Sequence, residues 1–256
     1  MSVVLITAWE PRGEFKRLLR FRPRLSDLYT DIIIAAPDRA DPAEVAALNA
    51  EPGVRVVTTP EGAWRRYVAL VEGLKTEASY FHYLDTDRAA HWVETRPAEL
   101  AQAVSRVQTT DCLLLGRTEA AWATHPQAMR QTEAIFNHLF SRLLGVEADF
   151  GAGARGFSRR AAEYLLARVS PDHWSDTAWP VVLWRGGFRL DTLLADGLDW
   201  ETPDQYRDAA ADPDAQRHMA AAYDADPANW SMRVWVADEI TKAGLAAWLA
   251  ENRELI

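Results

Sequence analysis

Asp85 and Asp87 are the residues whose type and spacing most directly offer chemistry. They close the run Tyr80-Phe81-His82-Tyr83-Leu84-Asp85-Thr86-Asp87. The run is apolar and aromatic, of strand length, until two carboxylates arrive at i and i+2. In extended backbone those positions point to the same side. A strand ending here aims both side chains into one pocket at the carboxyl edge of a sheet, where open α/β sheets bind ligands. Two convergent carboxylates suit a hard divalent cation, Mg²⁺ or Mn²⁺, and a cation there suits a diphosphate. Asp and Thr are also ordinary turn residues, so the pair alone equally describes a solvated turn.

The elements that must position this pair are legible upstream. Val3-Val4-Leu5-Ile6-Thr7 and Asp31-Ile32-Ile33-Ile34-Ala35-Ala36 are continuous apolar runs, as in strands buried on both faces. Val54, Val56 and Val57 mark a third strand. Between them, Phe15, Leu18 and Leu19 predict a short helix stopped near Pro23. Asp41-Pro42-Ala43-Glu44 predicts a capped helix start. Thr59-Pro60-Glu61 opens a further helix whose Trp64, Tyr67, Val68, Val71 and Leu74 share one face. The alternation predicts a doubly wound, mostly parallel sheet with helices on both faces.

After Asp87 the pattern loosens. A helix is expected from Pro97 to Val107, a strand over 111–116, and a long helix ending at Gly145. Residues 147–150 read as a short strand and 151–157 as a flexible loop, with Ser158 capping the next helix. A helix from Asp176 to Trp184 and a strand over 188–194 follow. The tail from Pro203 reads as two or three helices, the last from about Trp230 to Trp248.

The 256 residues suffice for one large α/β domain or two small ones, and 48% hydrophobic with 25% charged residues is ordinary for a globular chain. A net charge of −9 argues against a nucleic-acid binder, which needs a basic face. The single Cys112 lies in an apolar run and reads as an inert buried thiol. No signal-peptide pattern and no apolar run near the ~20 residues of a membrane span is visible, so a cytoplasmic protein is the expectation. Eleven Trp is a high count, and flat aromatic faces serve sugar clefts as well as cores.

Gly151-Ala152-Gly153-Ala154-Arg155-Gly156 matches G-x-G-x-x-G, the dinucleotide fingerprint. That fingerprint needs a second parallel strand ending in an acid about 20 residues on. Here the following helix leads into Ser170-Pro171-Asp172-His173-Trp174, which has no buried-strand character. The glycines therefore signal close backbone approach or positive φ instead.

The order of these parts resembles the GT-A fold nucleotide-sugar glycosyltransferases of the family-2-like group. That group includes dolichyl-phosphate mannose synthases, with mannosylglycerate and glucosyl-phosphoglycerate synthases as relatives. The similar segments are Ile6-Thr7-Ala8-Trp9-Glu10, Asp38, Gly62 with Arg65-Arg66, Tyr83 to Asp87, Gly151 to Arg160, Asp176, and Trp184 to Leu190. Three departures stand out. Trp9 replaces the usual Asn of the first loop, a single Asp38 replaces paired acids, and Asp176 is followed by Thr177.

The resemblance implies a GT-A domain over 1–202 and a helical extension over 203–256 packed on it. It implies Ala8, Glu10, Asp38, Arg65, Arg66 and Thr86 on the nucleotide, and Gly153, Arg155 and Gly156 on the sugar or acceptor. The metal would take Asp85, Asp87 and a His, with His173 and His218 as candidates. His82 is expected to pack within its strand, and His91, His125 and His138 to lie on the surface. Asp176 is the candidate general base or acceptor contact; at a helix start it could equally be a cap.

The expected activity is metal-dependent transfer of a hexose from UDP- or GDP-hexose to a small hydroxyl-bearing acceptor. A homodimer is left open. The alternatives are a sugar nucleotidyltransferase of related fold, for which Ala8-Trp9-Glu10-Pro11-Arg12-Gly13 is a faint signature, and a non-catalytic nucleotide-sugar binding protein.

Overall fold

The computed structural model describes residues 2–60, 64–171, 174–201 and 213–250. In chain order these form β1 (Val3–Ala8), α1 (Phe15–Ser26), β2 (Asp31–Pro37), α2 (Pro42–Asn49), β3 (Val54–Thr59), α3 (Arg65–Leu74), β4 (Tyr80–Asp85), α4 (Thr86–Thr95) and α5 (Pro97–Val107). Then come β5 (Cys112–Arg117), α6 (Glu119–Thr124), α7 (Gln127–Leu144), β6 (Ala154–Ser158), α8 (Arg159–Leu166), α9 (Ser175–Arg185), β7 (Leu190–Ala195), α10 (Pro213–Ala225) and α11 (Pro227–Leu249).

The strands make one sheet in the order β3-β2-β1-β4-β6-β5-β7. Among the described strands only β6 runs antiparallel to its neighbours β4 and β5; the other pairings are parallel. The register places Ala8 beside both Ala35 and Asp85, so β1, β2 and β4 end together at one carboxyl edge. Both faces of the sheet are covered. Val4 and Ile6 enter one core with Phe81, Phe140 and Trp179, while Val3 and Leu5 enter the other with Trp92 and Leu100. This two-sided burial is why the strands read as unbroken apolar runs.

The tail joins the first of these cores. Ile240, Ala243 and Ala247 of α11 are buried there, and Thr177 Oγ1 donates to Ile240 O at 2.6 Å. Arg185 Nη1 donates to Ala247 O and Trp248 O, so α9 and α11 are laced along their length.

Several expectations need correcting. Helix α1 continues through Pro23 and closes at Ser26, with Asp27 N–H donating to Pro23 O. Pro23 removes only its own donor, and the buried Leu18, Phe21 and Leu25 hold the helix against the sheet. Helix α4, unforeseen in the sequence, begins directly after Asp85, so Asp87 sits in a helical first turn rather than on a strand. Residues 150–152 form a 3-10 turn instead of ending a strand.

The segment expected as a flexible loop is β6, at the heart of the sheet. Gly153 has φ +66°, and a Cβ there would lie 2.5 Å from Asp85 Oδ2. Gly156 pairs with His82 and Leu113 across the sheet, and a Cβ on it would meet Val107 at 2.5 Å. Its lack of a side chain serves packing, not sugar contact.

Gly156→Ala should therefore destabilise the chain by about 1–3 kcal/mol through overpacking. Adding Val107→Ala should recover part of the loss. Denaturant melts of both variants check this, and additive losses would refute the contact.

Candidate active site

The carboxyl edge gathers the chemistry. Asp85 ends β4 as the N-cap residue of α4, yet its side chain makes no capping bond. It turns instead to Arg66 Nη2 at 3.1 Å and accepts a short hydrogen bond from the Tyr83 hydroxyl. Asp87 follows in the first turn of α4, where the helix dipole favours an anion. Thr86 Oγ1 donates to Ala8 O at 3.0 Å and pairs with Thr7 Oγ1 at 2.7 Å. These bonds clamp the end of β1 to the β4–α4 junction. Thr86 is 1% exposed, so it positions the edge from beneath.

Arg66, near the start of α3, is the hub. One guanidinium nitrogen reaches Asp85; the other donates to Asp176 Oδ1 at 2.7 Å, near the start of α9. The guanidinium carbon lies 5.2 Å from the Tyr83 ring centre. Burial pushes the Asp176 carboxyl up, but the guanidiniums of Arg66 and Arg155 outweigh it and hold the group below the usual range. Arg155 on β6 is buried and donates to Asp176 O and Phe150 O, both at 2.7 Å. It braces the site from within and lines neither of the site's two cavities.

Two adjoining cavities open here. The first, about 460 Å³, is lined by Ala8, Glu10, Arg12, Trp64, Arg65, Arg66, Asp85, Asp87 and Trp174. Glu10 accepts from Arg65 at 2.6 Å and also pairs with Arg39. Trp64 and Trp174 meet edge to face at 4.9 Å. Asp38 is exposed at the end of β2 and does not line either cavity.

The second cavity, about 650 Å³, shares Arg12, Arg66, Asp85, Asp87 and Trp174 with the first and reaches toward α7, α10 and α11. It holds Asp176 and Glu201. Arg117, at the end of β5, ties the neighbouring wall: its Nη2 meets Glu133 at 2.5 Å and its Nε meets Asp149 at 2.6 Å. Glu133 also accepts from Arg233 of α11.

The Asp87 carboxyl is raised, first by burial and second by Asp85, with Arg88 and Arg12 opposing. Two acids facing one cavity and disfavouring each other's charge are what a divalent cation relieves. Among the described residues no group of three His, Cys, Asp or Glu completes a metal shell. The all-oxygen pair thus fits a hard cation whose other positions go to phosphate and water. His173 lies outside the described residues, as does Gly62. His218 is exposed on α10, its Nδ1 bonded to Asp214 O, and is not in either cavity.

Of the other histidines, His91 and His125 are buried rather than superficial. His91 pairs with Asp199 at 2.7 Å and His125 with Ala121 O at 3.0 Å, while His138 is exposed. His82 packs in β4 beside the Tyr29 hydroxyl, and burial pushes its pKa down to about 3.

Three contributors escaped sequence reasoning. Arg12, four residues past the end of β1, is exposed and borders both cavities; its place at the carboxyl edge was the available signal. Arg88 on the buried side of α4 lies 3.4 Å from Glu201. Nothing local in the sequence marks Glu201. Burial pushes its carboxyl up to about 7, with Arg88 opposing and Asp87 adding.

No protein-family model matches the chain, and no curated protein matches it. Solved structures do. Glucosyl-3-phosphoglycerate synthase from Mycobacterium tuberculosis, with Mn²⁺, uridine diphosphate and phosphoglyceric acid, is similar at TM-score 0.62 and 12% identity. The match covers 98% of this chain and 80% of that one. The same synthase with Mn²⁺, uridine-diphosphate-glucose and phosphoglyceric acid gives 0.56 and 11%, over 98% and 81%. A mycobacterial protein gives 0.52 and 14% over 75% of this chain, which spans 65% of its length. 4-Diphosphocytidyl-2C-methyl-D-erythritol synthase from Anaerococcus prevotii gives 0.51 and 13% over 87% and 97%. The likeness establishes the GT-A fold.

Glu201 gives a signed pH prediction. Its folded pKa lies above its unfolded one, so the native state holds the proton more tightly. That contribution is complete below the ordinary carboxyl range and is lost as pH rises through about 7. Glu201→Gln should match wild type near pH 4.5 and melt progressively higher than wild type toward pH 8. Parallel melting profiles across that range would contradict the buried placement.

Proposed function

We propose that the chain is a metal-dependent glycosyltransferase. It moves a hexose from a nucleoside diphosphate sugar to a hydroxyl-bearing acceptor. One observation carries this reading: Asp85 and Asp87 lie where two cavities meet, beside Arg12 and Arg66. A donor diphosphate at the junction leaves its base in the first cavity and turns its sugar toward the second. The similar synthase structures hold Mn²⁺ with uridine diphosphate or its glucose derivative, which favours a pyrimidine donor and a divalent metal.

In this reading Asp85 and Asp87 hold Mg²⁺ or Mn²⁺, which when bound neutralises charge developing on the departing diphosphate. Arg12 and Arg65, which line the same first cavity, are the guanidiniums that would meet phosphate oxygens. Ala8 lets the backbone end of β1 approach the nucleotide, and Glu10 fixes Arg65. Trp64 and Trp174 offer aromatic surface for a ring to stack on. Asp176, kept ionised by Arg66 and Arg155, orients or deprotonates the acceptor hydroxyl. Glu201 is the second candidate for the proton, since its carboxyl sits near neutral pH. Within the 203–256 extension, α10 and α11 wall the acceptor side.

A second reading is nucleotidyl transfer, because a cytidylyl-type synthase shares this fold over 97% of its length. The two differ in product: transfer of sugar releases nucleoside diphosphate, whereas nucleotidyl transfer releases pyrophosphate.

Two carboxylates repel a diphosphate until a cation reverses the sign, so metal and nucleotide should bind cooperatively. A ligand at 100 times its Kd stabilises by about 2.7 kcal/mol. At ~2–4 °C per kcal/mol, UDP or GDP with Mn²⁺ should raise Tm by roughly 5–10 °C, and either component alone by little. Asp87→Ala should abolish the joint shift without unfolding the protein. A wild type indifferent to Mn²⁺ with every common nucleoside diphosphate would sink the transferase reading. Asp176→Asn should keep the joint shift yet lower transfer by ~10²–10⁴-fold; turnover within a few-fold of wild type would reduce Asp176 to a cap.

A further inference from the structure

The second cavity has a composition that the proposed reaction does not by itself require. The chain contains four methionines, and all but Met1 line this one space: Met129 from α7, Met219 from α10 and Met232 from α11. Methionine is flexible and polarizable, and fills space around irregular apolar shapes. Trp200, Tyr223 and Ile240 extend the same apolar wall.

The charges on the wall are already spoken for. Arg66 is held by Asp85 and Asp176. Arg88 lies against Glu201 and donates to Leu198 O, both at 3.4 Å. Arg233 is paired with Glu133. With Asp85 and Asp87 set aside as the cation pair, the remaining acids of the wall match its arginines one to one: Asp176 with Arg66, Glu201 with Arg88 and Glu133 with Arg233. Arg12, at the boundary with the first cavity, is the guanidinium placed to meet a donor phosphate. An anionic acceptor would thus enter a space whose arginines are matched by acids. A volume of about 650 Å³ also exceeds what a three-carbon acid would fill, and lies in the range of drug-sized ligands.

We propose that this cavity is an acceptor site for an uncharged alcohol with an aryl or alkyl body. The apolar part packs among Met129, Met219, Met232 and Trp200, and the hydroxyl points toward Asp176 at the junction. The proposal rests on the transferase reading for the word acceptor, but the binding itself can be measured without any donor. It also separates this chain from the similar synthase structures, which hold a small phosphorylated acid.

The test is direct binding to the full chain without nucleotide. Tryptophan fluorescence and Tm are followed with phenyl β-glucoside and with octyl β-glucoside below its micellar concentration. Glycerol and phosphoglyceric acid serve as polar and anionic comparisons. The aryl and alkyl probes should bind at least ~10-fold more tightly than either comparison. Met219→Glu and Met232→Glu should each weaken them by ~10-fold; Met232 is 40% exposed, so its variant is expected to fold. The shift produced by Mn²⁺ with UDP should be the same in both variants. Preference for phosphoglyceric acid, or glycoside affinity untouched by both substitutions, overturns the proposal. Loss of the metal–nucleotide shift in wild type, with glycoside binding intact, instead overturns the transferase reading and leaves an apolar-alcohol site.

Discussion

The ion-pair bridge Asp85–Arg66–Asp176 is the constraint on which the rest of the site depends. It joins the end of β4 to the start of α9 through a side chain of α3, across 19 residues on one side and 110 on the other. Only its Asp176 end is buried, at 6% exposed, while Arg66 and Asp85 keep 21% and 28% of their side-chain surface, so solvent screens the outer half of the bridge. What the bridge supplies is geometry: one guanidinium sets the position of Asp85 against that of Asp176 at the cavity junction. It also explains why Asp85 does not cap α4: its oxygens face Arg66 and Tyr83, leaving the start of that helix toward the cleft. Arg155 supports the same arrangement from beneath, at the level of the backbone of Asp176.

Around this bridge, charge is organised in layers. Beneath the edge, hydroxyls of Thr7 and Thr86 lock strand ends without contributing charge. At the edge, carboxylates and guanidiniums alternate. Behind the second cavity, Arg117 joins Glu133 and Asp149, and Arg233 joins Glu133 from α11. This second network binds the tail to the end of β5. The −9 net charge of the chain is thus compatible with a site for a diphosphate, because the relevant field is local and a cation would stand within it.

Much of this was legible in the residues. Strands β1 to β4 announced themselves because burial on both faces leaves no polar positions. The Asp pair announced itself because two acids interrupt such a run. Helix α4 did not, since its inner face carries Arg88 and His91, whose partners Glu201, Leu198 O and Asp199 lie more than 100 residues away. Strand β6 was disguised by its glycines, which read as looseness but answer to crowding by Asp85 and Val107. Asp38, Thr86 and Gly156 were placed on the ligand by resemblance; exposure, burial and packing set them elsewhere. Glu201 became meaningful only through neighbours more than 100 residues away.

The span of these contacts has a kinetic consequence. Pairing Arg66 with Asp176, Glu133 with Arg233, and Thr177 with Ile240 each closes a loop of 63 to 110 residues. Loop closure must be met before such contacts return any stability, and chains rich in them fold slowly. During synthesis, β1 to β4 and the Asp pair leave the ribosome long before α9, α10 or α11 exists. The first half can form its parallel strands early, but the junction remains unfinished until α9 docks. Binding competence is therefore a late event of folding: Arg66 can meet Asp85 as soon as β4 forms, but the bridge is completed only when α9 delivers Asp176.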